Sequence, residues 1–405
     1  IRIATAPEGA PAGAFMGLVA NATYYLYASA MNRAGALTPY AALGSTLTLV
    51  GVPAVSTPAF AGTSFDSLTA SWGHGGNSSG TLYNAVVSTG SPLTLGYAGN
   101  VMVSTAPEEE PQALFAGLSP NTSYSLFVRA SGRDNTLTVY LLMGERATDA
   151  AQPSAPAAAV STVSASGLSL SWGAAGNPFF RTTYTLEAST AADFTAQGAP
   201  YLVSLDTVSS AGPMASLGGL SVNTTYHLRV RSLSHNGNAS PWTGLGSTST
   251  LTALPGSAAS TFSSVQTSSM SVSWTANGNP IDRTTYTVVL STGAGYPNSY
   301  AGNLLLSTSP AGPAPHATPA GLSPNTTYQL FVSALNNNGV DTLFVGLGAT
   351  VTLAAEPSGP SVFWGTGVSS FSVTWNSNGN PLAVTTYTVQ ASSSSSFGGA
   401  GDTVI

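Results

Sequence analysis

The chain has 405 residues, 43% of them hydrophobic and only 6% charged; its nine basic residues are all arginine, against fifteen acidic ones. That length accommodates several domains with sizeable cores, and the absence of cysteine excludes a disulfide scaffold and Cys-ligated metal centres. A net charge of −6 with no basic patch excludes the phosphate-neutralising surface of a nucleic-acid binder, and no apolar run approaches the roughly 18 residues of a membrane span.

Two landmarks recur along the chain. The first is N-A-T-Y at Asn21–Tyr24, which returns as N-T-S-Y at Asn121–Tyr124, N-T-T-Y at Asn223–Tyr226 and N-T-T-Y at Asn325–Tyr328. The second is Trp72, which returns at Trp172, Trp274 and Trp375, spacings of 100, 102 and 101 residues. A period near 100 is too long for a solenoid unit and fits one whole domain. Inside each period apolar and polar residues alternate, the pattern of half-buried strands. In chain order the alternation carries Tyr124, Leu126, Val128 and Ala130; Leu168, Leu170 and Trp172; Tyr184, Leu186 and Ala188; and Met270, Val272 and Trp274. It continues through Tyr286, Val288 and Leu290; Tyr328, Leu330, Val332 and Ala334; and Phe371, Val373 and Trp375. Turn clusters such as Gly176-Asn177-Pro178 and Gly278-Asn279-Pro280 separate the strands. No helical period of useful length occurs.

A buried Trp early and a corner Tyr late in each period predict an all-β, seven-stranded antiparallel sandwich, repeated in a rod-like array. With the Trp on the second strand, L-S-P-N-T-S-Y-S-L-F-V-R-A at Leu118–Ala130 and L-S-P-N-T-T-Y-Q-L-F-V-S-A at Leu322–Ala334 resemble fibronectin type III domains, as found in bacterial-type secreted or surface proteins. The resemblance runs in register along the whole chain. It implies a fold and no single function, since that family serves as spacer, receptor ectodomain, enzyme accessory and adhesin module. Pro53, Pro153, Pro255 and Pro357 mark joints with almost no linker, giving full repeats at 53–152, 153–254 and 255–356. Residues 1–52 read as the late strands of a repeat and 357–405 as the early ones. The chain starts at Ile1 rather than Met, so it reads as a processed product or a segment of a longer array, with the end halves completed along one chain or between neighbours.

Candidate sites are few. His74, His227, His235 and His316 show no ligand spacing, no nucleophile elbow is present, and Glu108-Glu109-Glu110 is a loop cluster without an aspartate-rich calcium loop. These features predict no catalytic, cofactor or metal site. The N-x-[ST] sequons at Asn21, Asn77, Asn121, Asn223, Asn238 and Asn325 are candidate glycosylation acceptors, four of them corner residues whose short polar side chain supports the turn. Tyr40, Tyr140, Trp242 and Phe344 recur before the last strand, as end packing or as sugar-stacking platforms. Tyr27, Phe127, Arg229 and Phe331 recur where alternation points outward, making Tyr27, Phe127 and Phe331 candidate assembly contacts.

The sequence therefore reads as a non-enzymatic structural region of an extracellular or cell-surface fibre, sheath or stalk. Its expected partners are further repeats of its own kind, with glycans second, and neither nucleic acid nor a membrane. An adhesin or carbohydrate-binding array is the alternative, resting on the aromatic rows; a spacer of a larger secreted enzyme is the third reading.

Overall fold

The computed structural model describes residues 1–5, 11–105, 111–208, 212–293, 301–308, 314–392 and 403–404; Glu108-Glu109-Glu110 lies outside them. Among the described residues the regular structure is all strand, and no helix is long and apolar enough to cross a membrane. The first residues supply β1 (Thr23–Ala28) and β2 (Ala41–Leu47), an antiparallel pair. Repeat 53–152 then contains β3 (Ala54–Thr63), β4 (Ser67–Gly73), β5 (Leu82–Ser88), β6 (Asn100–Ser104), β7 (Gln112–Ala116), β8 (Ser123–Ser131) and β9 (Leu141–Ala147). They form a three-stranded sheet, β3-β4-β7, and a four-stranded sheet, β6-β5-β8-β9, antiparallel throughout.

The arrangement recurs twice. Repeat 153–254 has β10 (Val160–Val163), β11 (Gly167–Ser171), β12 (Thr183–Ser189), β13 (Leu202–Val208), β14 (Met214–Gly218), β15 (Thr225–Leu233) and β16 (Thr243–Ser249). Repeat 255–356 has β17 (Gly256–Ser263), β18 (Ser271–Thr275), β19 (Thr285–Ser291), β20 (Asn303–Thr308), β21 (His316–Ala317), β22 (Thr327–Leu335) and β23 (Val345–Val351). Their sheets are ordered β10-β11-β14 with β13-β12-β15-β16, and β17-β18-β21 with β20-β19-β22-β23. After them come β24 (Ser358–Trp364), β25 (Ser372–Asn376), β26 (Gln390–Ala391) and β27 (Thr403–Val404).

Each full repeat closes its own core, and the alternating residues supply it. In repeat 153–254 the two inner faces bring Leu168, Leu170 and Trp172 against Tyr184, Leu186, Tyr226, Leu228 and Val230. The Trp meets the next strand's Tyr edge to face in every repeat, with ring centroids 5.8, 5.2 and 5.4 Å apart for Trp72–Tyr83, Trp172–Tyr184 and Trp274–Tyr286. At the corner, the Tyr124, Tyr226 and Tyr328 hydroxyls accept from the amides of Ser119, Ser221 and Ser323, five residues upstream, at 3.0, 2.9 and 2.9 Å. A bulge recurs between the last two strands: Leu126 faces Gly144 while Phe127 faces Leu142, so Met143 is the extra residue and turns into the core. Leu245 and Leu347 do the same in the other repeats, beside Gly246 and Gly348, whose φ of 89° and 117° a side chain would oppose.

Strands β1–β2 and β24–β25 keep these local features without a closed core. The bulge residue Leu43 is 65% exposed, and Trp375 is 36% exposed against 2% for Trp274, although Trp375 still meets Tyr387 at 5.4 Å. Phe371 is also exposed, while Val373 and Tyr387 are half-buried.

Trp172→Ala should destabilise repeat 153–254 by about 3–5 kcal/mol, because a large aromatic leaves a cavity in a closed core. Differential scanning calorimetry should show one transition moving down while the other repeats keep theirs. Burial, opposed weakly by nearby Asn77, Asn177 and Asn279, raises the pKa of Tyr83, Tyr184 and Tyr286 above the ordinary 10.0; Tyr184 is also drawn down weakly by Trp172. The folded state therefore resists ionising them. The stability this represents is fully present below pH 10 and is lost as pH rises through the raised values. Circular dichroism against pH should show alkaline unfolding, and Tyr184→Phe should shift its repeat's transition to higher pH.

Candidate functional site: the joints between repeats

The joints are built from three polar side chains that recur in step with the cores. The corner asparagines Asn21, Asn121, Asn223 and Asn325 adopt φ of 54°, 45°, 42° and 43°. That left-handed geometry suits asparagine better than most residues. It also aims each side chain across the joint. The Nδ2 atoms donate to the Oγ1 atoms of Thr81, Thr182, Thr284 and Thr385 in the following repeat, at 2.9, 3.0, 3.0 and 2.8 Å. The Oδ1 atoms of Asn21, Asn121 and Asn223 accept from the backbone amides of Arg133, His235 and Asn337, in the turn between the last two strands of that repeat, at 2.9, 2.8 and 2.8 Å. Residues 357–405 do not include that turn, and Asn325 is half-buried where Asn21, Asn121 and Asn223 are at most 1% exposed.

A second asparagine holds the connecting segment. Asn177 and Asn279 each clasp one backbone unit: the amides of Ala151 and Ala253 donate to Oδ1 at 2.8 and 2.7 Å, and Nδ2 donates to the same residues' carbonyls at 2.8 Å in both. Asn77 and Asn380 clasp Gly51 and Ala355 identically. Further bonds vary. Asn236 and Asn238 donate to Asp149 Oδ1 at 2.7 and 2.9 Å in one joint, while Asn338 donates to Thr248 at 3.0 Å in the next. Buried amides so fully partnered fix a geometry, because any other leaves polar groups dry and unpaired.

These positions bear on the sequons. The nitrogens of Asn21, Asn121, Asn223 and Asn325 face the next repeat and that of Asn77 faces its own joint, out of a glycosyltransferase's reach once the joint has formed. Asn238 is the exposed one of the six. In the sequence the corner asparagines are turn supports. Their role across the joint had a trace there: Asn77, Asn177, Asn279 and Asn380, and the Thr residues, keep the same period as the Trp.

The candidate assembly contacts need correction. Phe127 and Phe331 do point away from the core, but they are only 6% and 9% exposed. Each is an inner member of a transverse row on the outer face of the four-stranded sheet. Met102, Val86, Phe127 and Leu142 lie side by side on β6, β5, β8 and β9, and the outer two shield the inner two. Leu305, Val289, Phe331 and Gly346 form the equivalent row. Tyr27 is 60% exposed, because β1 has a sheet neighbour only in β2. Within these two rows the apolar side chains open to solvent are Met102, Leu142 and Leu305, at the sheet edges, which alternation alone does not single out.

In repeat 153–254 the inner pair becomes Glu187 and Arg229, bridged at 2.6 Å. Arg229 is stacked by Phe194 at 3.9 Å and Trp242 at 4.2 Å, and Arg231 covers Trp242 at 4.4 Å. Arg129 similarly lies 4.6 Å from the Tyr140 ring centre. Trp242 and Tyr140 thus already stack on guanidinium groups of their own repeats, whereas Tyr40 is exposed. His74, His227, His235 and His316 fall in a turn, on β15, in a joint and on β21 respectively, and no group of three metal-ligating side chains converges among the described residues.

Residues 257–343 match the family model of the fibronectin type III domain. The other two full repeats share that repeat's strand order, Trp–Tyr pair and corner, so the chain is a tandem array of fibronectin type III-like sandwiches. Among solved structures, a two-domain fibronectin type III segment of chicken tenascin aligns with 50% of this chain and 100% of its own, at 19% identity and a TM-score of 0.32. The FN1–FN3 domains of chicken CNTN1 align with 75% of this chain and 99% of theirs, at 14% identity and a TM-score of 0.25. No curated protein matches the chain.

Asn223→Ala removes both arms of one joint and leaves Thr284 Oγ1 and the Asn337 amide unpaired there, costing about 1–3 kcal/mol per stranded group. The expected outcome is a broadened distribution of maximum dimension in small-angle X-ray scattering, with the calorimetric transition of the distant repeat 53–152 unchanged.

Proposed function

We propose that this array of fibronectin type III-like sandwiches is the structural region of an extracellular fibre, sheath or stalk, and that it does no chemistry of its own. The observation that carries the reading is the joint. The same corner asparagine, threonine and backbone clasp recur at four places, so each repeat docks on the next through one shared set of bonds. A binding module on a flexible tether has no use for such joints; Gly- and Ser-rich linkers would serve it better. A load-bearing or spacing element requires them, because they convert sequence length into distance.

Surface chemistry supports the same reading. With charge confined to 6% of residues, uncharged polar and apolar groups make up most of the outside, and surfaces of this kind meet one another with little ionic desolvation. The open faces are complementary: β1–β2 correspond to the last two strands of a repeat and β24–β25 to the first two. Burying one large side chain of such a face stabilises by about 1.5–3 kcal/mol. Completing a sandwich from these parts, along one chain or between chains, extends the array through the same joint.

Negative-stain electron microscopy of native material tests this reading. The expected image is a straight filament or rod with a repeat of about 30–40 Å per sandwich, as strand rise and turns dictate. Compact particles, or beads free to bend at every joint, would refute it.

A further inference from the structure

The joint between repeats 53–152 and 153–254 holds an open cleft of about 240 Å³. The first repeat lines it with Ser91, Ser123, Ser125 and Glu145, the second with Arg181 and His235. Glu145 and Arg181 are both exposed and line it from different repeats, and neither forms an ion pair among the described residues. Convergence of two opposite charges on one cleft stands out in a chain with nine basic and fifteen acidic residues. His235 closes one side, its amide bound to Asn121 and its Nε2 lying 3.0 Å from the Arg181 carbonyl.

The scaffold of the next joint is the same, but its furnishing is not. His227 stands where Ser125 does, and Ser247 faces it across the sheet where Glu145 faces Ser125. Arg283, the counterpart of Arg181, lies 3.4 Å from Asp282. The joint beside residues 1–52 has Tyr25, Ser45 and Gly80 at these positions. A small residue at 125 together with unpaired Glu145 and Arg181 is particular to one joint, so the clamp alone does not require it.

We propose that this cleft binds a saccharide, taking one sugar residue across the joint. A carboxylate only accepts, a guanidinium only donates, and serine hydroxyls do either. A ligand dense in hydroxyl groups matches that mixture. An anion would meet Glu145 and a cation would meet Arg181, while an apolar ligand finds little beyond Pro178. The volume lies below the range of about 300–1,000 Å³ typical of drug-sized ligands, which sets the size at one ring. Because the walls come from two repeats, the bound sugar bridges them.

Saturation-transfer NMR and calorimetric titration of the full chain with glucose, galactose, mannose and N-acetylglucosamine, each separately, test the proposal, with glycine as a zwitterionic probe. At least one sugar should bind with a dissociation constant of about 1–10 mM. Glu145→Ala and Arg181→Ala should each weaken it at least tenfold, while Arg283→Ala at the next joint leaves it unchanged; circular dichroism should show all three variants folded. No binding by any of the four sugars, binding by glycine alone, or sugar binding that survives both cleft substitutions would overturn the assignment.

Discussion

A primary amide held out of water at a left-handed corner is the interaction on which the array depends. The corner asparagine must adopt positive φ for the chain to turn into the strand that carries the corner tyrosine. That conformation sends its side chain out of its own sandwich and into the next. There the amide nitrogen meets a threonine and the amide oxygen meets a backbone N–H. Turn and joint are thus one event. Since a buried amide without partners is costly, the repeats dock in the one geometry that satisfies it, and connecting segments can be short.

The cores and the outer faces obey different rules. Inside, Trp, Tyr and the bulge residue keep their places because each fills a volume that its neighbours cannot fill. Outside, only pairing across the sheet matters, so one position tolerates opposite chemistries. Val86 beside Phe127 and Val289 beside Phe331 are apolar pairs; Glu187 beside Arg229 is an ion pair under two aromatic rings. Either solution covers the backbone. The same freedom furnishes one joint with Ser125, Glu145 and Arg181 and the next with His227, Ser247 and an arginine beside Asp282.

A fixed joint and a sparsely charged surface suit an element that sets spacing. Each sandwich folds on its own core, so local damage stays local, while the clamps pass orientation from one repeat to the next. The amide and hydroxyl groups that recur at every joint are nearly insensitive to pH and weakly sensitive to salt, which charged joints would not be; one joint adds the Asp149 carboxylate to them.

The periodic Trp, the N-T-x-Y corner and the alternation around them determined the sandwich, the number of full repeats and the residues that meet in each core. These depend on patterns local to a strand or repeated at one period. Tertiary structure decided what the polar repeats do. Asn121 and His235 are 114 residues apart and Asn121 and Thr182 are 61 apart, and no local pattern pairs them. It likewise decided which outward positions stay open. Phe127 and Met102 both alternate out of the core, yet Phe127 sits at the centre of a four-strand row and Met102 at its edge. Burial on a sheet's outer face is set by what lies beside a residue across the strands, and the chain order that alternation reads does not contain it.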